Sequence, residues 1–210
     1  MELFFSPLAC SLATRIVLYE AGVPARFVEV DTWTKRMPDG GDYRDVHPLG
    51  LVPLLRTDDG LVLTENAAIL QYVADRHAPA LAPSDPLGRT RLHQWLHFIG
   101  TELHAGMFAL LLDPRAPEAV KSYALQRGEP RLASLAQHLE GRRFLLDDFS
   151  VADAFLFTVL VWTAATPIDL AKYPSLREYF KRHLDRPSIA RALGEERELY
   201  MAEKARSLNA

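Results

Sequence analysis

The chain has 210 residues, 49% of them apolar, and 24 Lys and Arg against 27 Asp and Glu give a formal net charge of −3. That length suits one large domain or two compact ones, and the apolar share excludes intrinsic disorder. The balanced charge argues against a polyanion-binding surface, so no nucleic acid is expected as a partner.

Leu3-Phe4-Phe5 is a short apolar run that stops at Ser6-Pro7, which predicts a strand and a turn. Leu12, Ile16, Val17 and Leu18 then recur at helical spacing, and Gly22 closes that helix. Residues 26–30 alternate as a half-buried strand does. Val52–Leu55 and Leu61–Leu63, separated by Asp58-Asp59-Gly60, read as a hairpin. A helix follows, with Ala68, Ile69, Tyr72 and Val73 expected on its inner face.

Pro79, Pro83 and Pro86 mark a linker, and beyond it no strand pattern appears. Asp85-Pro86 predicts a helix start, with Asp as N-cap and Pro at the first helical position. That helix is expected to reach Leu112 with the stripe Leu92, Leu96, Ile99, Leu103 and Leu110 inward. Gly128 and Pro130 are expected to bend or split the next helix, 118–140. Ser150 with Asp153 predicts a capping box ahead of the greasiest stretch, Ala154–Ala165, which reads as a buried core helix. Two helices, near 174–184 and 187–203, finish the chain. The predicted fold is therefore α/β plus all-α: a small α/β domain over 1–78 and an all-helical domain over 87–210.

No run approaches the roughly 20 consecutive apolar residues of a membrane span, and no basic residue precedes a hydrophobic segment at the N-terminus. A soluble, cytoplasmic protein without a membrane partner is expected. The lone cysteine allows no internal disulfide and no zinc ribbon.

Cys10 falls between the first strand and the first helix, where the helix dipole stabilises a thiolate. The same position suits an inert, buried small hydrophobe. Ser11 offers a hydroxyl at the same helix end. Val52-Pro53 puts proline in an apparent strand, which fits either an edge or a cis bond presenting the Val52 backbone to a peptide-like ligand. At Glu65-Asn66 a helix begins; its amides suit a carboxylate and the Glu65 side chain suits an ammonium, the two charges of an amino-acid end. Glu65 also reads as an ordinary first-turn acid. His93, His97, Gly100 and His104 share one narrow stripe of an α-helix. His93 and His97 lack a third ligand, so no metal is expected, and a histidine facing a cleft could polarise a bound thiol.

The segments SPLACSLA (6–13), GLVPLL (50–55), LTENAAILQYVAD (63–75), TELH (101–104) and FSVADAFLFTVLVW (149–162) resemble the glutathione S-transferases, most closely the bacterial beta class, in matching order over nearly the whole chain. The resemblance implies a thioredoxin-like, glutathione-binding N-terminal domain, an all-helical C-terminal domain contributing the electrophile pocket, and a homodimer with a cleft in each subunit. It implies that Cys10 lies beside, or bonds to, the glutathione sulfur, and that Val52 gives backbone hydrogen bonds ahead of a cis Pro53. It further implies that Glu65 and Asn66 grip the γ-glutamyl end and that Lys35 lies near the glycine carboxylate. Thr101, Glu102, Leu103 and His104 match a segment lining the glutathione site, with His97 nearby, and His104 fits the histidine implicated in activity. Cys10, His104 and Ser11 are the expected catalytic residues. Phe5, Leu8, Met107, Phe108 and Trp162 are the expected electrophile pocket, and Ser150 and Asp153 match a folding cap.

The chain departs from the family pattern in several places. Phe4 and Phe5 leave no tyrosine at the end of the first strand, Leu8 stands where glycine is common, and Asn66 replaces glycine or serine. His97 replaces an asparagine and Ala105 a lysine. The expected function is conjugation of reduced glutathione, as co-substrate and with no other cofactor, to small hydrophobic electrophiles. The alternatives are a glutathione-dependent thiol-disulfide oxidoreductase or peroxidase using Cys10, and a non-catalytic ligand-binding member.

Overall fold

The computed structural model describes residues 1–208, with side chains described through Lys204. It divides into two compact units, residues 1–78 with the final helix from Pro187, and residues 79–186.

In the first unit, β1 (Glu2–Phe5), α1 (Ser11–Glu20), β2 (Arg26–Glu29), β3 (Leu54–Arg56), β4 (Val62–Leu63) and α2 (Asn66–His77) follow the predicted order. The sheet runs β2-β1-β3-β4. β1 lies parallel to β2, with Phe4 opposite Val28, and antiparallel to β3, with Leu3 opposite Leu55. This β-α-β, β-β-α arrangement is thioredoxin-like. Side chains alternate across the pleat, so Phe4 packs with Val28, Val30, Tyr43 and Leu54 while Phe5 meets α1 on the other face, its ring 4.3 Å from the Arg15 guanidinium. On α2 the buried residues are Asn66, Ile69, Leu70, Val73 and Ala74. Ala68, expected inside, is exposed, because Asn66 rather than Ala68 anchors the inner stripe.

The last helix, α8 (Pro187–Leu208), packs on α1. The division drawn from the sequence, 1–78 and 87–210, groups that helix with the other helices instead. Buried charge ties it to α1: Arg15 is 3% exposed and Glu196 0%. Arg15 meets Glu195 at 3.0 Å and Glu196 at 3.1 Å, and Tyr19 also donates to Glu195. The Arg15 guanidinium lies over the rings of Phe5 and Phe27, which repays part of the cost of burying it.

The second unit is built on one long helical run, Pro86–Leu112. Asp85 caps it, accepting from the Gly88 amide at 2.8 Å as predicted. The run starts as α3 (Pro86–His97), winds as a π-helix over Phe98–Phe108 and ends as α4 (Ala109–Leu112). By length and composition alone, this is the one helix among the described residues able to cross a membrane. Its buried line is Leu92, Leu96, Ile99, Leu103, Met107 and Leu111. Leu110, expected inside, is half-buried, since each π turn takes more residues than an α turn and moves the register on by one.

α5 (Glu118–His138) passes through Gly128 and Pro130 as one helix, so of the expected bend or split the split does not occur. Gly128 accounts for part of this: a Cβ there would fall 2.0 Å from Met107 Sδ, so the glycine lets the two helices approach. α6 (Val151–Val161) is buried from Val151 through Thr158 to Leu160. The predicted capping box starts it: Asp153 accepts from the Ser150 amide and hydroxyl and the Leu145 amide, each at 2.9 Å, and from the Tyr179 hydroxyl at 2.9 Å. α7 (Pro174–Leu184) completes the unit.

Candidate functional site

Three chain corners of the first unit meet at Cys10. The turn after β1 delivers Cys10 to the N-terminus of α1, where its Sγ donates to the Val52 carbonyl at 3.3 Å. Asn66, the first residue of α2, donates its Nδ2 to the Cys10 carbonyl at 3.1 Å and accepts from Thr14 through Oδ1 at 2.9 Å. Two hydrogen bonds thus gather the starts of α1 and α2 and the segment ahead of β3.

The Val52-Pro53 peptide bond is cis. Val52 lies beyond the end of the β3 ladder, and its amide has no hydrogen-bond partner among the described residues. Glu65 is exposed and stands at φ +66°, where non-glycine residues are uncommon; its carboxylate faces outward at the start of α2. Lys35 also has positive φ, +61°, and its Nζ donates to the Gly50 carbonyl at 3.0 Å, two residues before Val52. The left-handed backbones of Leu8, Lys35 and Glu65 carry no sequence signal, since none of these is a glycine.

Two readings of this region need correction. The helix start was expected to favour a Cys10 thiolate, but the residue is half-buried. Burial pushes the thiol up to about 12, with Glu65 and Glu196 adding to it, and outweighs the amides of Cys10 and Ser11 that pull it down. Cys10 is therefore a neutral hydrogen-bond donor near pH 7. Ser11 was expected to offer its hydroxyl to a bound thiolate; it is fully buried, and that hydroxyl donates to the Ser6 carbonyl at 3.2 Å. Ser11 pins the turn instead.

Leu8, at φ +59°, donates its amide to Glu196 Oε2 at 2.7 Å. Burial pushes Glu196 up to about 7 against the pull of Arg15 and of that amide. Sequence reasoning missed Arg15 and Glu196 because charged residues on helices read as solvated. Phe5 lines a cavity of about 500 Å³ together with Arg15, Phe27, Pro38 and Leu199.

In the second unit the expected residues do not form one face. His97 is exposed with its Nδ1 2.7 Å from the His93 carbonyl, and exposed Thr101 donates to the His97 carbonyl at 2.9 Å. Glu102 is paired with Arg131 at 2.7 Å and Arg127 at 3.4 Å, and Leu103 is core. His104 is half-buried, its ring centroid 5.0 Å from that of Trp162 and 6.1 Å from that of Phe155; burial moves its pKa below the usual histidine value. The shared stripe expected for His93, His97 and His104 assumed α winding, which the π segment breaks. Met107 and Phe108 are fully buried and Trp162 nearly so, which makes them packing groups rather than open pocket walls. A larger cavity, about 640 Å³, lies among Pro83, Arg91, Trp95, His138, Arg142 and Leu146 and contains none of the expected site residues. Among the described residues, no cluster of three His, Cys, Asp or Glu side chains is placed to hold a metal ion.

The fold matches that of a defined class. The family model described as the glutathione S-transferase N-terminal domain matches residues 9–76, and that of the C-terminal domain matches residues 120–182. The chain belongs to the glutathione S-transferase family. It is similar to glutathione S-transferase GstA of Escherichia coli O157:H7, 39% identical over 93% of this chain and 98% of the relative. Among solved structures it is similar to a bacterial beta class glutathione S-transferase from Sphingomonas chungbukensis, 42% identical with a TM-score of 0.89 over 93% of this chain and 98% of that one. A sphingomonad glutathione S-transferase complexed with glutathione is 41% identical, with a TM-score of 0.88 and the same coverage.

Proposed function

We propose that this protein conjugates the thiol of reduced glutathione to small hydrophobic electrophiles. The observation that carries the reading is the junction at Cys10, with an unpaired Val52 amide and an exposed Glu65 carboxylate at the start of α2. An extended peptide pairs with the Val52 backbone as an added strand does. The γ-glutamyl carboxylate takes the first-turn amides of α2 and its ammonium takes Glu65, while Lys35 is assigned to the glycine carboxylate.

Cys10 serves the glutathione sulfur as a neutral donor. Its proton, now given to the Val52 carbonyl, can turn to a thiolate, and a charge-assisted hydrogen bond favours that ionised form. The ionised sulfur attacks the electrophile. His104, neutral because it is buried, is assigned to the proton of the glutathione thiol. Redox exchange at Cys10 requires its thiolate, which burial disfavours. A homodimer and a cytoplasmic location are proposed with the reading, on the resemblance alone.

Calorimetry with glutathione and an activity screen with aryl halides, epoxides, peroxides and disulfides test the proposal in wild type and Cys10→Ala. Binding at or below millimolar glutathione, with conjugation that survives Cys10→Ala at reduced rate, is the expected result. Absence of binding would favour a non-catalytic member. Disulfide exchange that is lost with Cys10 while no conjugation is found would favour the redox alternative.

A further inference from the structure

The π segment of the central helix places His104. Ala109 donates its amide to the His104 carbonyl, five residues back, so a wide turn closes on His104 itself. The packing agrees with this winding: past Ile99 one buried line runs through Leu103, Met107 and Leu111, with Phe108 buried beside it, and Leu110 is only half-buried. An α-helix of 3.6 residues per turn would bring Leu110 inward.

One residue makes room for the wide turn. At Gly106 a Cβ would fall 2.8 Å from the carbonyl oxygen of Thr101, again five residues back, and that neighbour is backbone and has no rotamer with which to retreat. Gly100, in the same segment, has ordinary space: a Cβ there would meet only a Phe155 ring carbon at 3.8 Å. The two glycines therefore differ in what they permit.

We infer that Gly106 is a positioning residue, which acts by permitting the π turn that sets His104 against Trp162 and Phe155. This rests on the reading that His104 serves the glutathione thiol. A side chain at Gly106 pushes the segment towards α winding, which rotates His104 relative to those rings and returns Leu110 inward.

The test compares Gly106→Ala, Gly100→Ala and His104→Gln, each alone, and Gly106→Ala combined with His104→Gln. In Gly106→Ala the imidazole proton resonances of His104 and their titration midpoint are expected to move. With an activated aryl halide, kcat is expected to fall about tenfold or more while KM for glutathione stays within about twofold, the pattern of a displaced acid-base group. Gly100→Ala is expected to leave the His104 resonances in place. The double variant is expected to be no slower than His104→Gln alone. Unmoved His104 resonances in Gly106→Ala would overturn the inference, and so would an equal further loss in the His104→Gln background. Full activity of His104→Gln would overturn instead the reading of His104. Should Gly106→Ala fail to fold, the native protein decides: through-hydrogen-bond couplings from the Ala109 amide to the His104 carbonyl support the inference, and couplings to Ala105 overturn it.

Discussion

Asn66 holds two elements with one side-chain amide, accepting from Thr14 and donating to the Cys10 carbonyl. Removing it takes the acceptor from the buried Thr14 hydroxyl and leaves the Cys10 carbonyl with the Ala13 amide in place of two donors. Asn66→Ala is therefore expected to lower stability by about 1–3 kcal/mol, read from a denaturant midpoint, and to weaken glutathione binding by displacing the Cys10 turn. Unchanged stability would show that water replaces both bonds. Glu196 gives a pH signature. Its carboxyl is raised from 4.5 to about 7 in the fold, so between these values the native state holds a proton that the unfolded chain has released. Its contribution is full below about pH 4.5 and is lost as pH rises through about 7. Glu196→Gln, which cannot ionise, is expected to gain on wild type as pH rises across that window, in paired unfolding curves. A difference that is flat with pH, or that shrinks, contradicts this origin.

At the scale of elements, the legible part of the structure was the part written in periodicity and caps. The order of strands, the Asp85 cap and the Ser150–Asp153 box all follow from local residue types. The π turn was hidden because Leu110 and Leu111 are both leucine, so a one-residue change of register leaves the apolar pattern intact. The unbroken α5 was hidden for a different reason: Gly128 signals a break locally, and its actual role is to admit Met107 from another helix. Gly128→Ala is accordingly expected to cost about 1–3 kcal/mol through overpacking. Met107→Ala in the same chain is expected to remove most of that clash, so the two losses should fall short of additive in unfolding experiments. Additive losses would place the effect of Gly128 elsewhere.

For the molecule as a whole, the residue types of the candidate site were readable, while their states depended on burial. Cys10, Val52, Glu65 and Asn66 stand out by type and by their places at strand and helix ends. No sequence pattern reports that burial raises the Cys10 thiol, that Ser11 is committed to Ser6, or that Arg15 binds the last helix to the first through Glu195 and Glu196. Those facts arise from packing between segments distant along the chain. They change the chemistry assigned to Cys10 from nucleophile to donor.

The direct measurement of that assignment is the ultraviolet absorbance of thiolate, titrated against pH in the glutathione complex of wild type and of Cys10→Ala. The account predicts one thiolate per chain in both proteins, ionising below the roughly 8.5 of a free thiol, with a higher midpoint in the variant because a hydrogen-bond donor is gone. A thiolate that disappears with Cys10, or bound glutathione that ionises no more readily than in water, would contradict it.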